Sequence, residues 1–132
     1  MIHEVVRRLF DVEDDSWPSY ISWTNLYKVS PGVLGGNPAD ALAEVQFSHC
    51  AKILEAEIMA LTPRRILFLT GFLGWAQPFL TKLGFVQDLS VEPPMEASGH
   101  ILSGSRVAVL PHPQGKPGYP IVTAAVDYLN KA

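Results

Sequence analysis

The sequence predicts an α/β fold: three layers, α/β/α, around a short, mainly parallel central sheet. Three observations predict it. Two runs, Ile66 to Thr70 and Arg106 to Leu110, are continuously apolar rather than alternating, as strands buried on both faces are. Segments with helical spacing of apolar residues lie before, between and after them, the alternation that packs helices on a parallel sheet. The length of 132 residues, 48% of them hydrophobic, suits a single domain over 1–132 with a core of its own.

Each element has a local cause. Ile2, Val5, Val6, Leu9 and Phe10 recur at helical spacing, with Arg7 and Arg8 placed outside. Tyr20 to Val29 is dominated by aromatic and β-branched residues and is closed by Pro31 and Gly32, which predicts a strand. Asn37 is a natural N-cap and Pro38 a natural first residue for a long helix running to about Leu61. Its inner stripe reads Leu42, Val45, His49, Ile53, Leu54, Ile58 and Leu61. After the Ile66 run, a helix is expected over Leu73 to Leu83, stopped by Gly84. Phe85 to Val91 reads as a short strand and Met95 to Gly99 as loop. A last helix, Pro120 to Asn130, turns Ile121, Val122, Ala125, Val126 and Leu129 inward.

Composition removes several function classes. The net charge of -3 signals no strongly basic nucleic-acid surface, although a local patch would still steer a ligand. One cysteine, Cys50, forms no internal disulfide and no cysteine zinc site, and reads as a buried small residue. His3, His49, His100 and His112 lack metal-ligand spacing, so no metal and no cofactor is expected. The N-terminus is neither a signal peptide nor a membrane span. A cytoplasmic protein without membrane contact is expected. There is no Gly-x-Ser-x-Gly elbow, and Gly115-Lys116-Pro117 is not a phosphate-binding loop.

In open α/β sheets, ligands bind beyond the carboxyl ends of the strands. That rule selects the loops after Tyr27-Lys28, after Leu69-Thr70-Gly71, and from Pro111 to Gly118. Asn25 offers a donor and an acceptor, which either read a base edge or satisfy backbone groups in a turn. His112, between two prolines, is either aimed into a cleft or an exposed loop histidine. Lys116 would reach a phosphate. Trp23, Tyr27, Trp75 and Tyr119 would stack on a base or pack in the core. Asp14 and Asp15 read as solvated acids.

The order of these signals resembles the uracil-DNA glycosylase superfamily, especially its iron–sulfur branch. The resemblance covers roughly Tyr20 to Pro117. It rests on Trp23-Thr24-Asn25-Leu26-Tyr27-Lys28, Asn37-Pro38, the helix bearing Cys50, Pro63 to Gly71, and His112-Pro113. It implies that Asn25 reads a uracil edge and that His112 stabilises charge developing on the base. It implies that the following loop, with Lys116, enters a DNA groove beside a flipped base. Gly71 and the aromatic Trp23 and Tyr27 would complete the ligand site. The family's glycine-rich first motif is missing, because Met1 to Ser19 contains no glycine. Val29 stands where a cluster cysteine is expected.

A domain of this kind, shortened at its first motif, is expected to bind DNA or a nucleobase-like ligand without assured catalysis. The alternatives are an active uracil-excising glycosylase, with Asp14 or Asp15 positioning water, and an interaction domain without a pocket. The missing strand would leave sheet edges that favour a homodimer.

Overall fold

The computed structural model describes residues 1–30, 38–90, 95–114 and 118–131. They form two compact units, Met1–Ser22 with Pro63–Ala132, and Trp23–Thr62.

The first unit is built on a sheet. Strand β1 is Arg65–Phe68, β2 Val86–Gln87, β3 Ala97–His100 and β4 Arg106–Val109, and the sheet order is β1-β4-β3-β2. Only β1 and β4 run parallel, with Ile66 beside Val107 and Phe68 beside Val109. The β3–β4 and β2–β3 pairs are antiparallel. The α/β class therefore holds, but the sheet is mixed rather than mainly parallel. The reason is β3, in a stretch that reads as loop. Ala97, Ser98 and Gly99 carry little strand propensity, yet all three are buried. A Cβ at Gly99 would collide with the Val86 carbonyl and the Phe85 ring, so only glycine lets β2 lie this close. A tight turn closed by Gly104 N–H to the Ile101 carbonyl (2.9 Å) folds β3 back onto β4.

Helix α4, Gly118–Asn130, covers one face of this sheet. Ile121 and Ala125 pack with Leu110, and Tyr128 and Leu129 with Ala108. Val107 and Val109, on the opposite face of β4, are equally buried, as the apolar run predicts. Helix α1, Ile2–Phe10, packs on α4 and buries Val5 and Val6 of its expected stripe, whereas Phe10 is exposed. Arg7 and Arg8 are half-buried rather than outside. Arg7 donates to the Val12 carbonyl (3.0 Å), and Arg8 pairs with Glu4 (2.7 Å).

The segment after β1 is less regular than expected. Gly71 has φ 77°, and Leu73 and Gly74 are non-helical. Regular helix α3 spans only Gln77–Lys82. Gly84 does end it. Its N–H meets the Thr81 carbonyl and that of Phe85 the Leu80 carbonyl, the paired bonds of a helix C-terminus. Of the strand expected over Phe85 to Val91, Val86–Gln87 is the paired part among described residues.

The second unit consists of an irregular segment and helix α2, Asp40–Leu61. The strand expected over Tyr20 to Val29 is not there. Trp17–Tyr20 is a single 3₁₀ turn, and the chain beyond has no strand pairing. Propensity is realised only against a neighbouring strand, and Val29 finds a side chain instead. The Gln46 carboxamide accepts from Val29 N–H (3.0 Å) and donates to its carbonyl (2.8 Å). Along α2 the buried stripe is Gln46, Cys50, Leu54 and Ile58. Val45, His49, Ile53 and Leu61, expected inside, are exposed. The stripe is rotated because Gln46 turns inward to serve the backbone. Cys50 is buried, as expected. The helix begins at Asp40 after Ala39, so Pro38 is not its first residue; Asn37 lies outside the described residues.

Candidate functional site

The parallel pair sets up the site. At the carboxyl ends of β1 and β4 the chains stay joined for one more step. Leu110 N–H donates to the Phe68 carbonyl and Gly71 N–H to the Leu110 carbonyl, both at 2.9 Å. Beyond that point they separate, β1 into Phe72–Ala76 and β4 into Pro111 to Gln114. Such a divergence opens a crevice. A cleft of about 810 Å³ lies there, lined by Thr70, Gly71, Phe72, Leu73, Glu96, Pro111, His112 and Gln114.

His112 enters from the β4 side and is exposed to the cleft. Gln114 N–H donates to its Nδ1 (3.3 Å). An acceptor nitrogen carries no proton, so in the neutral ring the hydrogen sits on Nε2, leaving an N–H donor for a ligand.

Glu96 enters from the opposite side because Glu96 N–H pairs with the Val109 carbonyl (3.0 Å), just ahead of β3. Its Oε2 accepts from Phe72 N–H (2.5 Å) and lies 3.1 Å from where a Gly71 Cβ would be. The carboxylate is thus clasped at one oxygen and brings acceptor character to the cleft. Phe72, half-buried, and the exposed Leu73 supply its apolar wall.

Of the residues singled out from sequence, Gly71 and His112 come together here. Lys116 lies outside the described residues. Asn25, Trp23 and Tyr27 belong to the other unit, whereas the described lining of the cleft belongs wholly to the first. Asn25 and Trp23 are exposed on an irregular segment, so the strand-end position expected for Asn25 is not realised. Tyr27 is half-buried, and burial foremost, with Cys50 second, raises its phenol above the ordinary range. Tyr119 is exposed, with the Arg8 guanidinium 4.6 Å from its ring centre. Asp14 is exposed, as read, and is held by Ser16. The Ser16 hydroxyl and backbone N–H both donate to it, keeping its pKa below the usual value. It lines a separate hollow with Phe10 and Tyr20, so it does not position water at this cleft.

Sequence reasoning missed Glu96 and Gln114. Gln114 was within reach as the next amide after His112-Pro113. Glu96 required recognising Ser103-Gly104 as a hairpin turn, which registers Ala97 against Val109 and delivers the preceding residue to the cleft. Among the described residues no group of acids, histidines or cysteines is arranged to hold a metal ion. Comparison with protein-family models, with curated proteins and with solved structures finds no match to this chain.

Proposed function

We propose that this chain is a nucleobase-binding domain of a three-layer, uracil-DNA glycosylase-like kind, its ligand seated at the carboxyl ends of β1 and β4. The observation that carries this reading is His112, whose Nε2–H is the ring's donor in a cleft shared with Glu96 and Gly71. An imidazole donor and a carboxylate acceptor beside an apolar wall suit a flat, neutral, hydrogen-bonding ring. A phosphate suits the cleft poorly, because the Glu96 carboxylate lines it and the chain is net negative. The domain therefore reads a base rather than a backbone, either free or extruded from a strand.

The test uses a short strand of abasic spacers carrying one nucleobase, uracil or cytosine, against an all-spacer strand. The base-bearing strand should bind at least tenfold more tightly. Raising salt from about 50 to 200 mM should weaken it by no more than about threefold, the loss expected for a single phosphate contact. Equal binding of both strands contradicts the reading. Release of free uracil at enzyme excess would make the domain a glycosylase.

A further inference from the structure

We infer that Phe72 is the face on which the bound ring lies, and that Phe85, behind the cleft wall, is the residue that positions it. This rests on the nucleobase-binding reading and assigns residues that carry its affinity.

Phe72 stands on an irregular turn, between Gly71 at φ 77° and the non-helical Leu73 and Gly74. Its backbone is nevertheless pinned at both ends. The N–H donates to Glu96 Oε2 (2.5 Å), and the carbonyl accepts from Gln77 N–H. What is left to fix is the ring, which turns about its own side-chain bonds. Phe72 lines the cleft and is half-buried, so part of it is open to a ligand. A base laid on an aromatic face gains stacking whatever its hydrogen-bonding edge.

The Phe85 ring meets the Phe72 ring with centroids 6.4 Å apart and planes tilted by 51°, within the range of favourable aromatic pairs. Phe85 is not among the described residues that line the cleft. It follows the Gly84 stop of α3, where its N–H donates to the Leu80 carbonyl (2.9 Å). Its ring lies against Gly99, where an added Cβ would be 2.8 and 2.9 Å from Cε2 and Cζ. Glycine in β3 thus makes room for the Phe85 ring, and that ring backs the cleft wall. A smaller side chain at 85 removes the backing without touching a polar group of the cleft. The Phe72 ring is then ordered only when ligand arrives, which weakens binding.

The experiment is an NMR titration of the full chain with 1-methylcytosine, amide spectra confirming that each variant is folded. Wild type should move the probe's ring protons upfield, the signature of an aromatic face above them. Phe72→Leu should abolish that shift and weaken binding about tenfold, the order of base–aromatic stacking. Phe85→Leu should shrink the shift and weaken binding about threefold, and Phe85→Met gives the same reading if the leucine variant unfolds. With Leu already at 72, the change at 85 should have no further effect, because the two act as one unit. Wild-type affinity and shift in Phe85→Leu, or in Phe72→Leu, overturn this inference and leave nucleobase binding standing. So does an effect at 85 that persists in full without Phe72, since it then acts by another route. Failure of wild type to bind the probe overturns the inference and nucleobase binding together.

Discussion

His112 is held by one backbone amide and exposed on its other side, so its contribution should be to binding and not to folding. His112→Ala should cost ligand affinity at least tenfold while changing stability by no more than about 0.5 kcal/mol, read by urea unfolding. Gly71 is the converse. Its φ of 77° and ψ of 163° lie in a region essentially reserved for glycine, and a Cβ would press on Glu96. Gly71→Ala should cost about 1–3 kcal/mol and also weaken binding. Tyr128 bears on alkaline stability. Its hydroxyl donates to the Gly99 carbonyl (3.2 Å). Burial foremost, then the negative charge of Asp88, holds its pKa above the ordinary value of 10.0. The raised folded-state pKa means its contribution is complete below pH about 10 and lost as pH rises through the folded value. Thermal melts should therefore fall on the alkaline side, less steeply in Tyr128→Phe. At this scale His112 and Gly71 were legible because proline and glycine mark the ends of apolar runs. Glu96 was not, because its place depends on a partner strand 13 residues away at Val109.

At the scale of elements, the legible parts were those whose signal is internal. Helices α1 and α4 follow their own periodicity and β1 and β4 their own apolar runs, whereas α2 is helical as read but turns a different stripe inward. What failed depended on a partner. The aromatic stretch to Val29 lacks a strand to pair with, and Gln46 takes the strand's place. Gln46→Ala should cost about 1–2 kcal/mol and accelerate hydrogen exchange at Val29, since two bonds to one residue are lost together. Unchanged exchange there would show that the carboxamide is not what holds the segment. Strand β3 failed the other way: its small residues look like loop until β2 and β4 lie against them. Gly99→Ala should be among the most destabilising single substitutions here, because backbone and an aromatic ring block the added carbon.

For the whole molecule, no helix among the described residues is long and apolar enough to cross a membrane. The mild negative charge suits a reader of rings better than a binder of duplex phosphates. Among the described residues, strand β1 ends its sheet with a single paired neighbour, β4. An edge of this kind offers unpaired backbone groups to a second copy, and sedimentation equilibrium should return twice the chain mass. A constant monomer at all concentrations removes the homodimer. The most direct measurement is a crystal structure of the chain with 1-methylcytosine. Nucleobase binding predicts the ring between Phe72 and His112, its carbonyl within 3.2 Å or so of Nε2, the reach of an N–H donor. A ring bound away from the β1 and β4 carboxyl ends, with Nε2 facing water, would contradict it.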